Sequence, residues 1–581
     1  KLEFDAEGKI KDNYNIKGLL KDGKLSFYKG ISIDKLDLIF NSKYNELEIT
    51  DTNFKFNNIN FKSEEILVKN EKNKFLFQGK ISHEKFDLRN EDFKNLISPL
   101  TKKINFTNLS FESENKFSFY LDRKFKIRDL EINSKMNLSK LSILNNYELS
   151  NFFPKVKEEI LLSDNNLEID YIKKNFSVIG EGKILIQDNE DNIFYKIDKV
   201  NKNIKFETSV QINDNPINID FIGYEKKNKK ALINFEGIKE NKGNLLISSF
   251  SYKEKENIFD FQKINLNKVF QINELDQLEM NYFDKDNRKN SILLIRKNKE
   301  YSLSGSYFNA DNLIENLFEI NQDKSNLIKI NNKLNINIDK VSLDKDNILQ
   351  NVAGNLTFKK NKIDTGQLEG FFTSDKKLKL TINKKGNNRI TTLFLDQADP
   401  IIRRYKFIKG FEDGVLDFYS TNNGEETIST LKIYNFKLKE MPALTKILTL
   451  ASLQGIADIM SGEGIRFDEF EMRFKDHKDL IKIEEIYAIG PAISILMEGY
   501  IEKKKLISLR GTLVPATTIN KFIGSIPVLG NILVGAKTGE GVFGVSFKIK
   551  GPPKNLETTV NPVKTLTPRF ITRTLEKIKK N

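Results

Sequence analysis

A mainly β fold, an elongated and curved antiparallel sheet with a few short helices, is predicted by three features of this sequence. Apolar residues recur at every second position over most of its 581 residues, short clusters of Asn, Asp, Gly and Lys separate the alternating runs, and stretches with helical spacing are few. Alternation of this kind gives each strand one apolar and one wet face, and short polar turns make neighbouring strands pair antiparallel as a meander.

The elements follow in chain order. From Lys1 to about Leu138 the groups Ile31 and Ile33, Leu36 with Leu38 and Phe40, Phe54 and Phe56, Phe75 and Phe77, Phe117 and Phe119, and Leu130 and Ile132 all step by two. A helix is expected near Glu91–Lys103, and another within Glu148–Ser163, where Pro154 suits a first turn. Strands resume at Leu167–Ile169, Phe176–Val178, Ile184–Ile186, Ile204–Phe206 and Ile217–Phe221. Asp311–Phe318 reads as a short helix that Asn309 or Asp311 can cap. Alternation returns at Leu334, and Thr391–Tyr419 reads as a strand, a short helix begun at Pro400, and a further strand. Helical spacing is clearest in Pro442–Met460, which Gly462 and Gly464 end. Strands then run to Leu513, followed by an apolar helical hairpin over Pro515–Ala536 and the alternating run Phe543, Val545, Phe547, Ile549. The organisation expected is an extended β region over 1–333 and a second region over 334–581 that ends in the hairpin and a basic tail.

Composition excludes several function classes. The absence of cysteine removes disulfides, thiolate metal sites and cysteine nucleophiles, and the two histidines, His83 and His477, sit in no metal or triad motif, so no metal, cofactor or catalytic residue is expected. The net charge of +14 is spread among alternating Lys, Asn, Asp and Glu, which argues against a nucleic-acid footprint. Gly539, Gly541 and Gly544 spell a dinucleotide fingerprint, but the strand-like VFGVSFKI follows where a helix must hold the pyrophosphate. Adjacent acids such as Glu64-Glu65 and Glu484-Glu485 point to opposite sides of a strand and read as solvated faces.

The open question is what covers the apolar faces. A sheet with one greasy face buries it against another sheet, against helices or against an apolar ligand, and the helices here are too few to cover so many strands. A sandwich closing on itself and a gutter whose inner wall stays apolar both satisfy the pattern.

The C-terminal punctuation bears on that choice. The order GTLVP, then Asn520, then IPVLG, then GEGVFGVSFKIKGP, then VNP over Gly511–Pro562 resembles the signature of AsmA-like, YhdP-type envelope proteins. The passage ALTKILTLASLQGIADIMSGEGIRFDEFEMRF and the dipeptide Gly490-Pro491 extend the likeness, which covers roughly Leu334–Arg573. The spacing around Pro400 and Phe411–Asp413 departs from the family form.

The resemblance implies a bridge-like lipid carrier: a repeated β-groove that conducts phospholipid between the inner and outer membranes of a Gram-negative envelope, without catalysis. It places the protein in the periplasm, and because the sequence starts at Lys1 without a leader, an inner-membrane anchor is expected on a segment missing from this chain. Under this reading Leu36, Leu38, Phe40, Phe54, Phe56, Phe117, Phe119, Phe543, Val545 and Phe547 line the path for phospholipid acyl chains, or else they are ordinary core. Phe522, Ile523, Val528 and Leu529 of the hairpin, with Phe570, Arg569 and Arg573 of the tail, are expected to touch a membrane surface or to cap the sheet. A factor that binds unfolded β-protein during outer-membrane assembly, or a structural envelope protein, is the alternative.

Overall fold

The computed structural model describes residues 3–26, 32–56, 59–71, 73–89, 106–145, 149–227, 230–240, 245–267, 272–318, 331–359, 362–373, 375–403, 409–440, 464–491, 493–503, 505–515, 545–553 and 555–560. The fold is mainly β, and the chain divides into two compact units, the first running to Lys289 and the second beginning at Asn290.

In the first unit the strands are β1 (Asn15–Ser26), β2 (Ser32–Lys43), β3 (Glu46–Phe56), β4 (Ile59–Glu71), β5 (Lys74–Arg89), β6 (Phe106–Asp122), β7 (Ile127–Leu144), β8 (Glu159–Ile172) and β9 (Asn175–Leu185). They continue as β10 (Glu190–Val200), β11 (Asn203–Ile212), β12 (Asn218–Ile219), β13 (Tyr224–Glu225), β14 (Ala231–Lys239), β15 (Leu245–Glu254), β16 (Asn257–Leu266) and β17 (Ile272–Phe283). Each pairs antiparallel with the next, β11 pairs with β14, and β12 with β13 forms a separate ribbon. Alternation explains the strands, and the turns explain their order. Lys173 and Lys174 both take positive φ (48° and 78°) to close a two-residue hairpin between Ile172 and Asn175, the hand that matches strand twist. Asp22, Lys35, Asp51 and Asp164 take positive φ inside strands, where the register shifts by a residue; such bulges bend and twist the sheet.

In the second unit β18 (Lys289–Lys297) pairs with β19 (Glu300–Asn309), which leads into helix α1 (Asp311–Phe318) and then β20 (Lys333–Ser342). β19 and β20 are parallel, with Glu300 opposite Lys333 and Asn309 opposite Ser342, a correction to the all-antiparallel expectation: a parallel pair requires a long connection, and α1 lies within it. The remainder is antiparallel in chain order: β21 (Ile348–Lys359), β22 (Lys362–Phe371), β23 (Lys377–Lys385), β24 (Asn388–Leu395), helix α2 (Asp399–Ile402), β25 (Lys409–Asn422), β26 (Thr427–Glu440) and β27 (Ile465–His477). The last strands are β28 (Leu480–Ile489), β29 (Ile493–Glu502), β30 (Leu506–Pro515), β31 (Val545–Gly551) and β32 (Glu557–Val560).

Two local expectations are overturned. The helix expected within Glu148–Ser163 is a single tight turn at Leu149–Asn151, and β8 begins at Glu159. Its backbone is claimed by neighbours, with Lys157 N–H donating to Ile186 O and Asn145 N–H to Glu158 O. The strand expected at Ile217–Phe221 is only the short β12 followed by a helical turn at Asp220–Ile222 that ends on Gly223 (φ 65°). The expected helices at Asp311–Phe318 and after Pro400 are present as α1 and α2. Those near Glu91–Lys103 and at Pro442–Met460, with the hairpin over 516–536 and the basic tail, lie outside the described residues.

A candidate apolar binding face

Register places one parity of side chains from successive strands on a single face. In the first unit Phe40 pairs with Ile49, Ile49 with Ile66, Ile66 with Gly79, Gly79 with Phe117, Phe117 with Ile132, and Ile132 with Tyr171. Leu36, Leu38, Phe40, Phe54, Phe56, Phe117 and Phe119, the lining residues expected there, all share this face and are half-buried. Aromatic rings stack within the layer: Phe77 on Phe119 at 4.9 Å and Phe54 on Phe61 at 5.3 Å between centroids. The reverse face carries Lys116, Lys135, Glu168 and Glu181, which are exposed.

The two rims of this face differ. At one rim the strands join through tight hairpins such as Lys43–Glu46, Ile172–Asn175 and Val200–Asn203. At the other the connections between β7 and β8 and between β11 and β14 are long, and residues 217–224 of the second pack over the apolar side chains. Its Tyr224 is 2% exposed and meets Phe259, Tyr252 and Tyr282 with ring centroids 5.0, 5.8 and 6.0 Å apart. Ile217 and Ile222 are buried beside it, and Tyr282 OH donates to Ile222 O at 3.2 Å. This plug is also tied to the β9–β10 turn and to β10, with Gln187 Nε2 donating to Pro216 O at 2.8 Å and Asn215 Nδ2 to Asp191 Oδ2 at 2.7 Å. Glu254, fully buried, accepts from Tyr224 OH at 2.6 Å, Asn257 Nδ2 at 2.8 Å and Lys227 N–H at 2.9 Å. Burial pushes the Tyr224 and Tyr252 hydroxyls and the Asp191 carboxyl above their ordinary values. Over β9 to β17 the apolar face is therefore covered at the plugged rim, whereas at the hairpin rim Ile204 of the same face is half-buried and Lys239 is exposed.

A polar strip interrupts the face between β5 and β7. Ser113 Oγ lies 2.8 Å from His83 Nε2, Asn115 Nδ2 donates to Ser113 Oγ at 2.8 Å, and Ser134 Oγ donates to Asn115 Oδ1 at 2.7 Å. His83 Nδ1 is 3.0 Å from Glu84 O, and its ring sits among Phe61, Phe86 and Phe111. Ser113 Oγ accepts from the Asn115 amide and shares a hydrogen bond with the imidazole, so its hydroxyl is satisfied as a structural link. The sequence carries one sign of this strip: Ser113, Asn115 and Ser134 stand at positions where the alternation calls for apolar residues.

The second unit repeats the one-sided pattern with deeper burial. Leu395, Leu416, Ile433, Phe436, Phe467, Ile493, Ile495 and Leu513 form a continuous core, with Ala398 and Ile402 of the α2 segment packed into it. Val545 and Phe547 belong to this core and are buried, whereas Ile549, Met497, Leu431 and Phe418 on the same face are partly exposed. Asp399 at the start of α2 pairs with Arg403 Nη2 at 2.8 Å, while its Oδ1 is buried without a partner. Phe543, Phe522, Ile523, Val528, Leu529, Phe570, Arg569 and Arg573 lie outside the described residues.

These faces offer aromatic and aliphatic surface, with polar groups that hydrogen-bond to one another. Among the described residues no group of three His, Asp or Glu side chains is placed to hold a metal ion. No protein-family model matches the chain, and no curated protein matches it.

Proposed function

We propose that the apolar faces carry phospholipid acyl chains, and that the protein is a non-enzymatic lipid carrier conducting phospholipid between the inner and outer membranes of a Gram-negative envelope. The observation that supports this is the half-burial of one parity over many strands of the first unit. Large side chains such as Phe54, Phe77, Phe117 and Phe119 face away from the wet side of a single layer, yet are only partly covered. Each methylene of an acyl chain costs ~0.8 kcal/mol to hold in water, so a lipid tail and this surface relieve one another's exposure. Closure at one rim and openness at the other suit an amphiphile, whose tail needs the dry side and whose headgroup needs the wet one. The envelope setting and the direction between two membranes rest on the sequence resemblance over 334–573.

The test uses the two parities of one strand. A photo-crosslinking amino acid at Phe54, Phe117 or Phe119 is expected to capture phospholipid in cells, and the same group at Lys55 or Lys116 is not. Equal labelling at both parities, or adducts to polypeptide alone at the apolar positions, would remove the lipid reading; the second result would favour a chaperone for unfolded β-protein.

A further inference from the structure

Over β9 to β15 the apolar face of the first unit is electrically polarised from rim to rim. Across β9, β10, β11, β14 and β15, the carboxylates on this face are Asp191 and Glu254, and both are buried in the hydrogen bonds of the plugged rim. The cations on it stand at the hairpin rim. Lys199 of β10 pairs in register with Ile204 of β11, and Ile204 pairs with Lys239 of β14, so two lysines flank one isoleucine. Both share the parity of Ile197, Phe206 and Gly237, which is the apolar one. Lys199 Nζ lies 5.6 Å from the centroid of the Phe176 ring, which confirms its side, and Lys239 is exposed. Neither forms an ion pair with a described residue. The adjoining hairpin tips add Lys174 and Lys202, both exposed, and Lys173, which pairs with Asp129 at 3.7 Å.

This arrangement is unlike the reverse face, where opposite charges intersperse: Lys183 lies 3.1 Å from Glu190 and Lys196 3.8 Å from Asp198. It also has a length. From Lys199 to Asp191 the strand rises about 26 Å at ~3.3 Å per residue. One leaflet's share of a ~30 Å hydrocarbon core is ~15 Å. A tail that starts at the lysines and runs along β11 over Phe206 therefore ends before the plug.

We propose that the carried amphiphile is a phospholipid with a net anionic headgroup, which sits at the hairpin rim between Lys199 and Lys239 while its tail lies along β11 toward the plug. This rests on the lipid reading of the apolar face and adds the headgroup class to it. An exposed ammonium near an anionic lipid contributes a screened attraction, and two of them acting on one headgroup give a preference on the order of tenfold over a zwitterionic lipid with the same tails. The apolar floor holds both lipids alike, so charge decides only which of them predominates.

The experiment uses the full chain, stripped of lipid in detergent and equilibrated with equal amounts of phosphatidylglycerol and phosphatidylcholine of matched acyl chains, with bound lipid read by mass spectrometry. Phosphatidylglycerol is expected to be enriched on the order of tenfold. The enrichment is expected to vanish in the double variant Lys199→Glu, Lys239→Glu while total bound lipid persists. It is expected to survive in Lys205→Glu, Lys253→Glu, which makes the same charge change on the reverse face. Lipid bound without preference, or preference lost equally in the control, overturns the headgroup assignment and leaves the lipid reading standing. No bound lipid of either kind defeats the lipid reading and this proposal with it. Millimolar inorganic phosphate that binds lipid-free protein with the same lysine dependence assigns a free-anion site and also overturns the proposal.

Discussion

Replacing Asp399 by Asn in the second unit is expected to stabilise its surroundings at neutral pH and to do nothing in acid. Asp399 opens α2 beside the buried Ala398, Pro400 and Ile402, and its side chain is 13% exposed. Burial raises its carboxyl from 3.8 to about 6; Arg403 opposes the shift, and the carboxylates of Asp413, Asp344 and Glu412 add to it. A carboxyl whose folded value lies above its unfolded one contributes stability below the unfolded value, and that contribution is lost as pH rises through about 6. The shift of roughly two units corresponds to about 3 kcal/mol. Asn is neutral at every pH and keeps the shape, so Asp399→Asn is expected to gain 2–3 kcal/mol, as an order of magnitude, at pH 7.5 and close to nothing at pH 4. Hydrogen exchange of β24 and β25 amides reads this, with both proteins compared at each pH so that intrinsic exchange cancels. The reasoning is refuted if the variant exchanges faster than the parent at pH 7.5, or if the gain is the same at both pH values. The first outcome would mean that the Arg403 pair outweighs desolvation.

Two further substitutions probe the first unit. A Cβ on Gly180 falls 2.4 Å from Cζ of Tyr195, so Gly180→Ala is expected to displace that ring and cost about 1–3 kcal/mol in urea unfolding, and to cost much less where Tyr195 is already Ala. Tyr224→Phe withdraws the hydroxyl that donates to Glu254 at 2.6 Å, and is expected to cost about 2 kcal/mol and to speed hydrogen exchange over 213–227 while leaving β5 to β7 unchanged.

The strands were legible because period-two alternation is a direct imprint of a one-sided layer. Where reading failed, a longer-range partner decided. The segment 148–163 has apolar spacing compatible with a helix, but Ile160 and Leu162 pair with Ile143 and Leu141 of β7, and cross-strand burial prevails over a short segment's own preference. Bulges at Asp51 and Asp164 shift the parity within a strand, so a strict count of every second residue runs out of phase there. That Phe54 and Phe56, or Phe117 and Phe119, share a face was readable from parity within a bulge-free run, whereas Leu36 and Phe54 are set on the face of Phe40 only by register across the bulges at Lys35 and Asp51. The plug was not, because Tyr224, Glu254 and Tyr282 come together only through strand order. Lys199 and Lys239 look like any surface lysine until register sets them beside Ile204.

A single layer that leaves large apolar side chains half-covered needs another source of burial, and cross-strand pairs of glycine with an aromatic ring supply it. Gly18 pairs in register with Phe40, Gly79 with Phe117, Gly180 with Tyr195, Gly237 with Phe206 and Gly511 with Phe547. In all five the ring lies over the glycine, at 2.4, 3.0, 2.4, 2.7 and 2.8 Å from where a Cβ would be. The ring thereby covers backbone that has no side chain of its own, and lies down instead of standing up from the sheet. One arrangement then serves two ends. It buries ring area within the layer, where a second sheet would otherwise be required, and under the proposed lipid reading it gives an acyl chain flat ring faces to lie on instead of gaps between upright side chains. Isolated aromatic residues on a pleated surface would give burial only by standing against one another, which closes the space a tail must occupy. Pairing each with a glycine separates stability from closure, which is the property the proposed lipid carrier would require of its walls.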